Sequence, residues 1–159
     1  MIIRSTIDDL DELLKIYADA RIFMKEHGNP TQWNNNRPTL SSIIDDINKG
    51  QHFKIVDNGE IVGIFTFYIG IDPCYNHIEG KWLNDDEYGV IHKIASSYKR
   101  KGILEKCLKY AESQINNLRI DTHRDNIVMQ NALKKFGFKE CGIIYVDDGT
   151  PRIAYQRTS

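Results

Sequence analysis

Three consecutive cations precede a glycine in the second half of the chain. Lys99, Arg100 and Lys101 stand before Gly102, and an amphipathic run begins at the following residue. The first turn of a helix leaves backbone N–H groups without acceptors and carries the positive end of the helix dipole. A basic loop at such a position is typical of a site for a multiply charged anion, although a solvated charge run is the alternative interpretation.

A histidine lies in the apolar, β-branched run that leads into this loop. His92 belongs to the segment GVIHKIAS. An imidazole with the ordinary pKa of ~6.5 can take a proton near neutral pH, which makes His92 a candidate general base. The other interpretation is a histidine hydrogen-bonded within the sheet. The five histidines and three cysteines have none of the spacings typical of metal sites, so we expect no metal.

The composition is that of a globular protein, and its 159 residues favour one domain, residues 1–159. No apolar run approaches the ~20 residues of a membrane span, so no membrane contact is expected. The first residues lack the basic and apolar regions of a signal peptide, which favours a cytoplasmic protein. The formal net charge of −1 argues against nucleic acid as a partner.

Periodicity and turn residues predict the elements that must position these side chains. After a short first strand, Thr6 can cap a long helix that ends at Gly28, and Thr39 can cap a second helix. Two β-rich runs flank Asn58-Gly59, the strongest short-range hairpin signal. The long segment at residues 71–88 is predicted to be an irregular binding loop.

The second half of the chain continues with the strand that contains His92, the basic loop and a helix from Gly102. A short strand, a helix ended by Gly137 and a hairpin at Asp148-Gly149 complete the pattern. The predicted fold is therefore a mixed α/β sheet of order β-α-α-β-β-β-α-β-α-β-β, with helices on both faces.

This order resembles the GNAT superfamily of acetyl-CoA-dependent N-acetyltransferases over nearly the whole chain, and three local patterns carry the resemblance. The family turn Arg/Gln-x-x-Gly-x-Gly/Ala reads Lys99-Arg100-Lys101-Gly102-Ile103-Leu104 here. The family segment Asn-x-x-Ala…Gly-Phe reads Asn126-Ile127-Val128-Met129 followed by Phe136-Gly137-Phe138. The strand VIHKIAS is similar to the family's His/Arg-Leu-Ala-Val.

The resemblance implies that acetyl-CoA donates an acetyl group to a primary amine of a small molecule or peptide, by direct attack in one ternary complex. His92 lies on the strand whose edge amides polarise the acetyl carbonyl in the family, so it stays the candidate base beside the alternative given above, and the resemblance allows a homodimer. Loop amides near Gly102 and the neighbouring cations would hold the coenzyme A phosphates. The expected cofactor-binding residues are Ile94, Ala95, Ser96, Lys99, Arg100, Lys101, Gly102, Ile103, Leu104, Asn126 and Asn131.

Two tryptophans lie in irregular segments that, on the family's plan, overhang the acceptor site. Trp33 and Trp82 are expected to line this pocket and to receive a cationic amine on their faces. The alternative is that they fix long loops to the core.

Two residues depart from the family pattern. Leu104 stands where the family has Gly or Ala, so its side chain must turn toward the sheet while its amide still donates. Leu133 occupies the position of a tyrosine that protonates the leaving thiolate in many members, and Tyr145 is a candidate replacement. The loss of this acid leaves a second interpretation open, a non-catalytic acyl-CoA-binding sensor or partner-binding module.

Overall fold

The computed structural model describes residues 1–33 and 37–158, which form one mixed sheet of eight strands with four α-helices. The elements in chain order are β1 Ile2–Arg4, α1 Leu10–Glu26, α2 Leu40–Asn48, β2 His52–Asp57, β3 Glu60–Ile69, β4 Glu79–Gly80, β5 Gly89–Ser96, α3 Ile103–Gln114, β6 Leu118–Thr122, α4 Ile127–Lys135, β7 Lys139–Tyr145 and β8 Pro151–Arg157. Across the sheet the strand order is β1-β2-β3-β5-β6-β8-β7-β4. The predicted mixed α/β architecture is confirmed.

The predicted helix and turn signals form as expected at the start of the chain. The Thr6 N–H donates to Asp9 Oδ2 at 2.8 Å at the start of a short 3-10 turn, Ile7–Asp9, that leads into α1, and Thr39 Oγ1 accepts from the Ser42 N–H at 3.2 Å at the start of α2. Asn58 and Gly59 have φ of 51° and 77°, the backbone that a two-residue hairpin between β2 and β3 requires.

Apolar side chains cover both faces of the sheet. Leu13 and Tyr17 of α1 and Ile43 of α2 pack with Ile64 and Ala95 on one face. On the other face, α3 and α4 pack against β3 and its neighbours, and the buried residues of this cluster include Phe65, Phe67, Cys107, Leu108 and Leu133. Helices on both faces thus leave the strand ends as the sites open to ligands.

The strands β5 and β6 are parallel and pair only at their first residues. Gly89 pairs with Leu118 and Val90 with Arg119, and in the described part of the chain no pair follows. The remaining residues of both strands therefore have free edges that face each other. A ligand can enter the sheet between them.

One strand lies in the segment that was predicted to be irregular. β4 pairs with β7 through Glu79 with Ile143 and Gly80 with Gly142. A Cβ atom on Gly80 would lie 2.2 Å from the Cys141 carbonyl oxygen, so the two chains approach at a distance that only glycine allows. This contact ties the middle of the long segment to the sheet.

No helix among residues 1–33 and 37–158 has the length and apolar content needed to cross a bilayer.

Candidate active site

A cavity of about 360 Å³ opens where β5 and β6 separate. Its walls come from both strands, the loop after α1, the long segment before β5 and the β7–β8 hairpin. Three of the predicted site residues, Trp33, His92 and Ile94, line it. The cavity also brings in Asp72 and Asp121, which the sequence analysis did not single out.

His92 lies between two carboxylates. Its Nε2 is 2.7 Å from Asp72 Oδ2, and its Nδ1 is 3.9 Å from Asp121 Oδ2. The Asp72 carboxylate is fixed because its Oδ1 accepts from the Cys74 N–H at 2.9 Å. Asp121 Oδ2 accepts from the Tyr75 hydroxyl at 2.7 Å. The imidazole is thus held in one orientation, with Nε2–H directed at Asp72.

The charges around His92 decide its protonation. Burial lowers its pKa, but the hydrogen bond to Asp72 and the charge of Asp121 outweigh burial and raise the pKa above its ordinary value. Burial would raise the pKa of Asp72, and the hydrogen bonds from His92 and the Cys74 amide outweigh it, so that pKa is lowered. Burial and the charge of Asp121 raise the pKa of Tyr75, which keeps its hydroxyl a donor.

A β-bulge shapes the cavity side of β5. Ile64 of β3 pairs with Ala95, and Thr66 pairs with His92, so β5 has one more residue than β3 between these pairs. Lys93, within this stretch, has φ 54°. Bulges bend a strand and re-aim its groups, and here the bulge lies beside His92 and Ile94. The sequence carried no signal for it, because glycine is absent at this position.

Buried polar groups hold the bulge in place. The Tyr17 hydroxyl donates to the Lys93 carbonyl at 3.1 Å, so it accepts the proton of His52 Nε2 at 2.9 Å. His52 Nδ1 then accepts from the Ser5 hydroxyl at 2.7 Å. Burial lowers the pKa of His52 to about 4, so the ring is neutral near neutral pH. The Lys93 ammonium donates to Asp46 Oδ2.

The basic loop ends in the turn that starts α3. Gly102 has φ 77° and ψ 22° and precedes the first helical residue, Ile103. The first-turn amides have no acceptors within the helix, and a left-handed glycine lets the chain enter at this angle. A Cβ atom on Gly102 would meet nothing within 4 Å, so the turn is open on this side.

The cations of the loop have acidic neighbours that the sequence analysis did not predict. Arg100 Nε donates to Asp57 Oδ2 at 2.7 Å, and Lys99 Nζ lies 3.8 Å from Glu60 Oε2. Both acids belong to the β2–β3 hairpin, and Lys101 is exposed. These pairs are solvent-accessible, and exposed ion pairs contribute little to stability.

The other expected cofactor residues occupy varied environments. Ile103 is buried and Leu104 packs against the core, as its departure from the family pattern required. Ala95 is buried, and Ser96 Oγ accepts from the Tyr98 N–H at 2.9 Å. Asn126 Oδ1 accepts from the Met129 N–H at 3.1 Å and caps α4, while Asn131 is exposed on that helix.

The two tryptophans have different surroundings. Trp33 lines the cavity and contacts the Tyr17 ring edge-to-face at 5.6 Å between centroids. Trp82 does not meet the expectation that it lines the acceptor pocket: it is 8% exposed, and its Nε1–H donates to the Tyr75 carbonyl at 3.0 Å. The Arg119 guanidinium lies 4.1 Å from the Trp82 ring centre and 4.0 Å from that of Tyr88. Trp82 therefore fixes its loop to the core, the alternative considered for it.

Neither candidate position for a general-acid tyrosine offers a hydroxyl to the cavity. Leu133 is fully buried in the core beneath α4. Tyr145 donates to Glu79 Oε1 at 2.9 Å, at the β4–β7 edge of the sheet. Its hydroxyl is thus engaged away from His92.

Comparison with known proteins identifies the family. The family model for Acetyltransferase (GNAT) family matches residues 10–138, well over half of the chain. The chain belongs to the GNAT acetyltransferase family. It is therefore an acyltransferase, and the family's acyl donor is acetyl-CoA.

Solved GNAT structures have the same fold. An acetyltransferase of the GNAT family from Streptococcus agalactiae 2603 is 29% identical, with a TM-score of 0.88, and the match covers 100% of this chain and 95% of that one. A GNAT-family acetyltransferase from Listeria monocytogenes 4b F2365 is 18% identical, with a TM-score of 0.74, covering 100% and 94%. AAC(6')-Ib in complex with ribostamycin and coenzyme A is 18% identical, with a TM-score of 0.65, covering 99% and 92%. No curated protein matches the chain.

Proposed function

We propose that this GNAT protein, as a single domain over residues 1–159, transfers an acetyl group from acetyl-CoA to a primary amine by direct attack in one ternary complex. The observation that carries this proposal is the His92–Asp72 pair, which faces a cavity at the opening between β5 and β6. An imidazole that is oriented by a carboxylate is the arrangement expected of a general base. AAC(6')-Ib, solved with coenzyme A and ribostamycin on the same fold, supports a coenzyme site in this scaffold.

The residues around Gly102 fit the phosphates of coenzyme A. Backbone N–H groups without acceptors at the start of α3, next to an open left-handed turn, can donate hydrogen bonds to a diphosphate. Lys99, Arg100 and Lys101 supply charge-assisted hydrogen bonds, because the pairs of Lys99 and Arg100 with the hairpin acids are exposed and easily exchanged, and Lys101 is itself exposed. Ile94, Ala95 and Ser96 offer a strand edge to the acyl arm.

His92 takes the proton that the amine must lose before attack. The amine nitrogen then forms a bond to the thioester carbonyl carbon, and the C–S bond breaks. A thiol with a pKa of ~8.5 leaves as thiolate without a dedicated acid, whose contribution would be about 10²- to 10⁴-fold. Leu133 is therefore compatible with turnover.

Two measurements test this function in sequence. Saturation with acetyl-CoA at 100 times its dissociation constant should stabilise the protein by ~2.7 kcal/mol in thermal unfolding. Thiol release from acetyl-CoA should then depend on an added primary amine. Acetyl-CoA binding without thiol release across a broad amine panel would establish the second candidate, a non-catalytic acyl-CoA sensor, which the buried Leu133 favours. Absence of both responses would exclude the enzyme and the sensor together.

A further inference from the structure

We infer that the acceptor's ammonium group binds between Asp121 Oδ2 and His92 Nδ1, so the acceptor is an alkylamine that is cationic at neutral pH rather than a weakly basic arylamine. This inference rests on the proposed function and specifies its acceptor. It assigns binding of the amine to Asp121 and positioning of His92 to Asp72.

Asp121 is a nearly buried carboxylate without a full ionic partner. Its side chain is 10% exposed, and its Oδ2 receives one hydrogen bond, from the neutral Tyr75 hydroxyl. Within residues 1–33 and 37–158, its one ion-pair neighbour is His92, at 3.9 Å, and the Nε2 of that ring is already committed to Asp72. Two carboxylates thus share one imidazole. Burying a carboxylate is costly without a cation, so the site favours one further positive charge.

None of the permanently charged side chains of the described cavity wall pairs directly with Asp121, and the charge of Arg152 acts on it only from a distance. Arg37 pairs with Asp147 at 2.7 Å and lies 3.6 Å from Asp148. The Lys93 ammonium points to Asp46. The guanidinium N–H groups of Arg152 donate to Thr150 Oγ1 and to the carbonyls of Pro151 and Gln32. Each of these cations is directed at its own acceptors.

The distance between the two acceptor atoms suits a primary ammonium. A nitrogen can donate to both atoms at about 2.8 Å when they are separated by 3.9 Å. Because Nε2–H is directed at Asp72, the lone pair of neutral His92 is on Nδ1, the atom that faces Asp121. An alkylamine has a pKa of ~10.4 and arrives as a cation, whereas the lone pair of an arylamine is delocalised into the ring and stays unprotonated.

Asp121 and His92 have different roles when the ammonium loses its protons. Asp121 holds the ammonium, which gives one proton to His92 Nδ1, and the freed lone pair forms the C–N bond to the thioester carbonyl carbon. The C–S bond breaks, and sulfur takes the second proton shed by nitrogen. The third proton stays on the amide, and His92 returns its proton to water.

The test measures amine binding apart from turnover. Benzylamine and butylamine are titrated calorimetrically into the protein with free coenzyme A, which cannot donate an acetyl group, and aniline serves as the neutral probe. We expect the alkylamines to bind, aniline to bind at least 10-fold more weakly, and Asp121→Asn to weaken alkylamine binding at least 10-fold. Asparagine keeps the size of the side chain and an oxygen for the Tyr75 hydroxyl. Asp125→Asn removes a half-buried carboxylate that lies beyond the same end of β6 and close to His123; it is the matched charge control and should leave binding unchanged.

The outcomes separate the inference from the proposed function. An unchanged acetyl-CoA response in thermal unfolding shows that Asp121→Asn is folded. Equal alkylamine binding by the wild type and Asp121→Asn, equal binding of aniline and benzylamine, or no alkylamine binding at all overturns the inference even if amine-dependent thiol release occurs. Asp121-dependent binding without any thiol release instead overturns the transferase function and leaves the ammonium site standing.

Discussion

The ring of His92 has carboxylates near both of its nitrogen atoms, and this placement sets the pH range in which it can act. The hydrogen bond to Asp72 and the charge of Asp121 favour the imidazolium, so His92 is a stronger base than a free histidine but is deprotonated only at higher pH. His92 can therefore accept a proton only once the pH has risen through its pKa, which lies above the ordinary ~6.5.

The pH dependence of acetyl transfer should follow this titration. For the wild type, kcat/KM should rise with pH through the raised pKa of His92. In His92→Ala this rise of kcat/KM with pH should disappear. The loss of kcat/KM should be about 10²-fold at about pH 7 and smaller at about pH 9, where more of the amine is already neutral.

The positioning role of Asp72 has its own signature. In Asp72→Asn the charged hydrogen-bond partner of His92 is gone while Asp121 remains, so the pKa of His92 should fall and the rise of kcat/KM should move to lower pH. A profile of kcat/KM against pH measures both variants. If kcat/KM of Asp72→Asn rises over the same pH range as that of the wild type, the Asp72 carboxylate does not control the pKa of His92.

At the scale of elements, the expected coenzyme A site depends on β5, which separates from β6, and on α3, which begins after the left-handed Gly102. Gly102 combines φ 77° with open space around a would-be Cβ atom, so a side chain there is opposed by backbone strain and not by a clash. Gly149 in the β7–β8 turn has φ 81° and equally open surroundings. The pair provides matched positions with the same backbone demand.

Valine at these two positions should separate stability from ligand binding. Gly102→Val and Gly149→Val should each lose about 1–2 kcal/mol of unfolding free energy, because both force a β-branched residue into the left-handed region. Gly102→Val alone should also lose most of the acetyl-CoA stabilisation in thermal unfolding, since its turn carries the amides aimed at the phosphates. Equal acetyl-CoA responses in the two variants would contradict the amide site at α3.

For the whole molecule, the sequence predicted the family and the order of elements apart from β4, since helical periodicity, caps and the Asn58-Gly59 turn are local signals. β4 escaped prediction because two residues at Glu79–Gly80 have no periodicity, and the β5 bulge because its left-handed residue is lysine. Asp72 and Asp121 meet His92 from separate elements, and that convergence is set by tertiary packing. The one local hint was that Asp121 is an acidic residue within the short strand predicted after α3.

The buried His52 should make the free energy of unfolding depend on pH. Its pKa is about 4 in the fold and ~6.5 in the unfolded chain, so between these values the unfolded state binds the extra proton. Its contribution is present above pH ~6.5 and is lost as the pH falls toward ~4, in total roughly 3 kcal/mol.

Urea unfolding of the wild type and His52→Gln isolates this term, because all other groups titrate in both proteins. The stability advantage of the wild type over His52→Gln should be largest at about pH 7 and should shrink at about pH 4.5. An advantage that is the same at both pH values would show that His52 does not stay neutral in the fold.

The crossing of Gly80 and Gly142 joins two stretches of main chain, without a side chain and so without any ionisable atom at that point. This contact between main chains does not itself change with the protonation of a side chain, and it ties down the middle of the segment that carries Asp72. A change of pH therefore acts on the charges at the cavity without acting directly on this tether, as it would on a salt bridge at the same place.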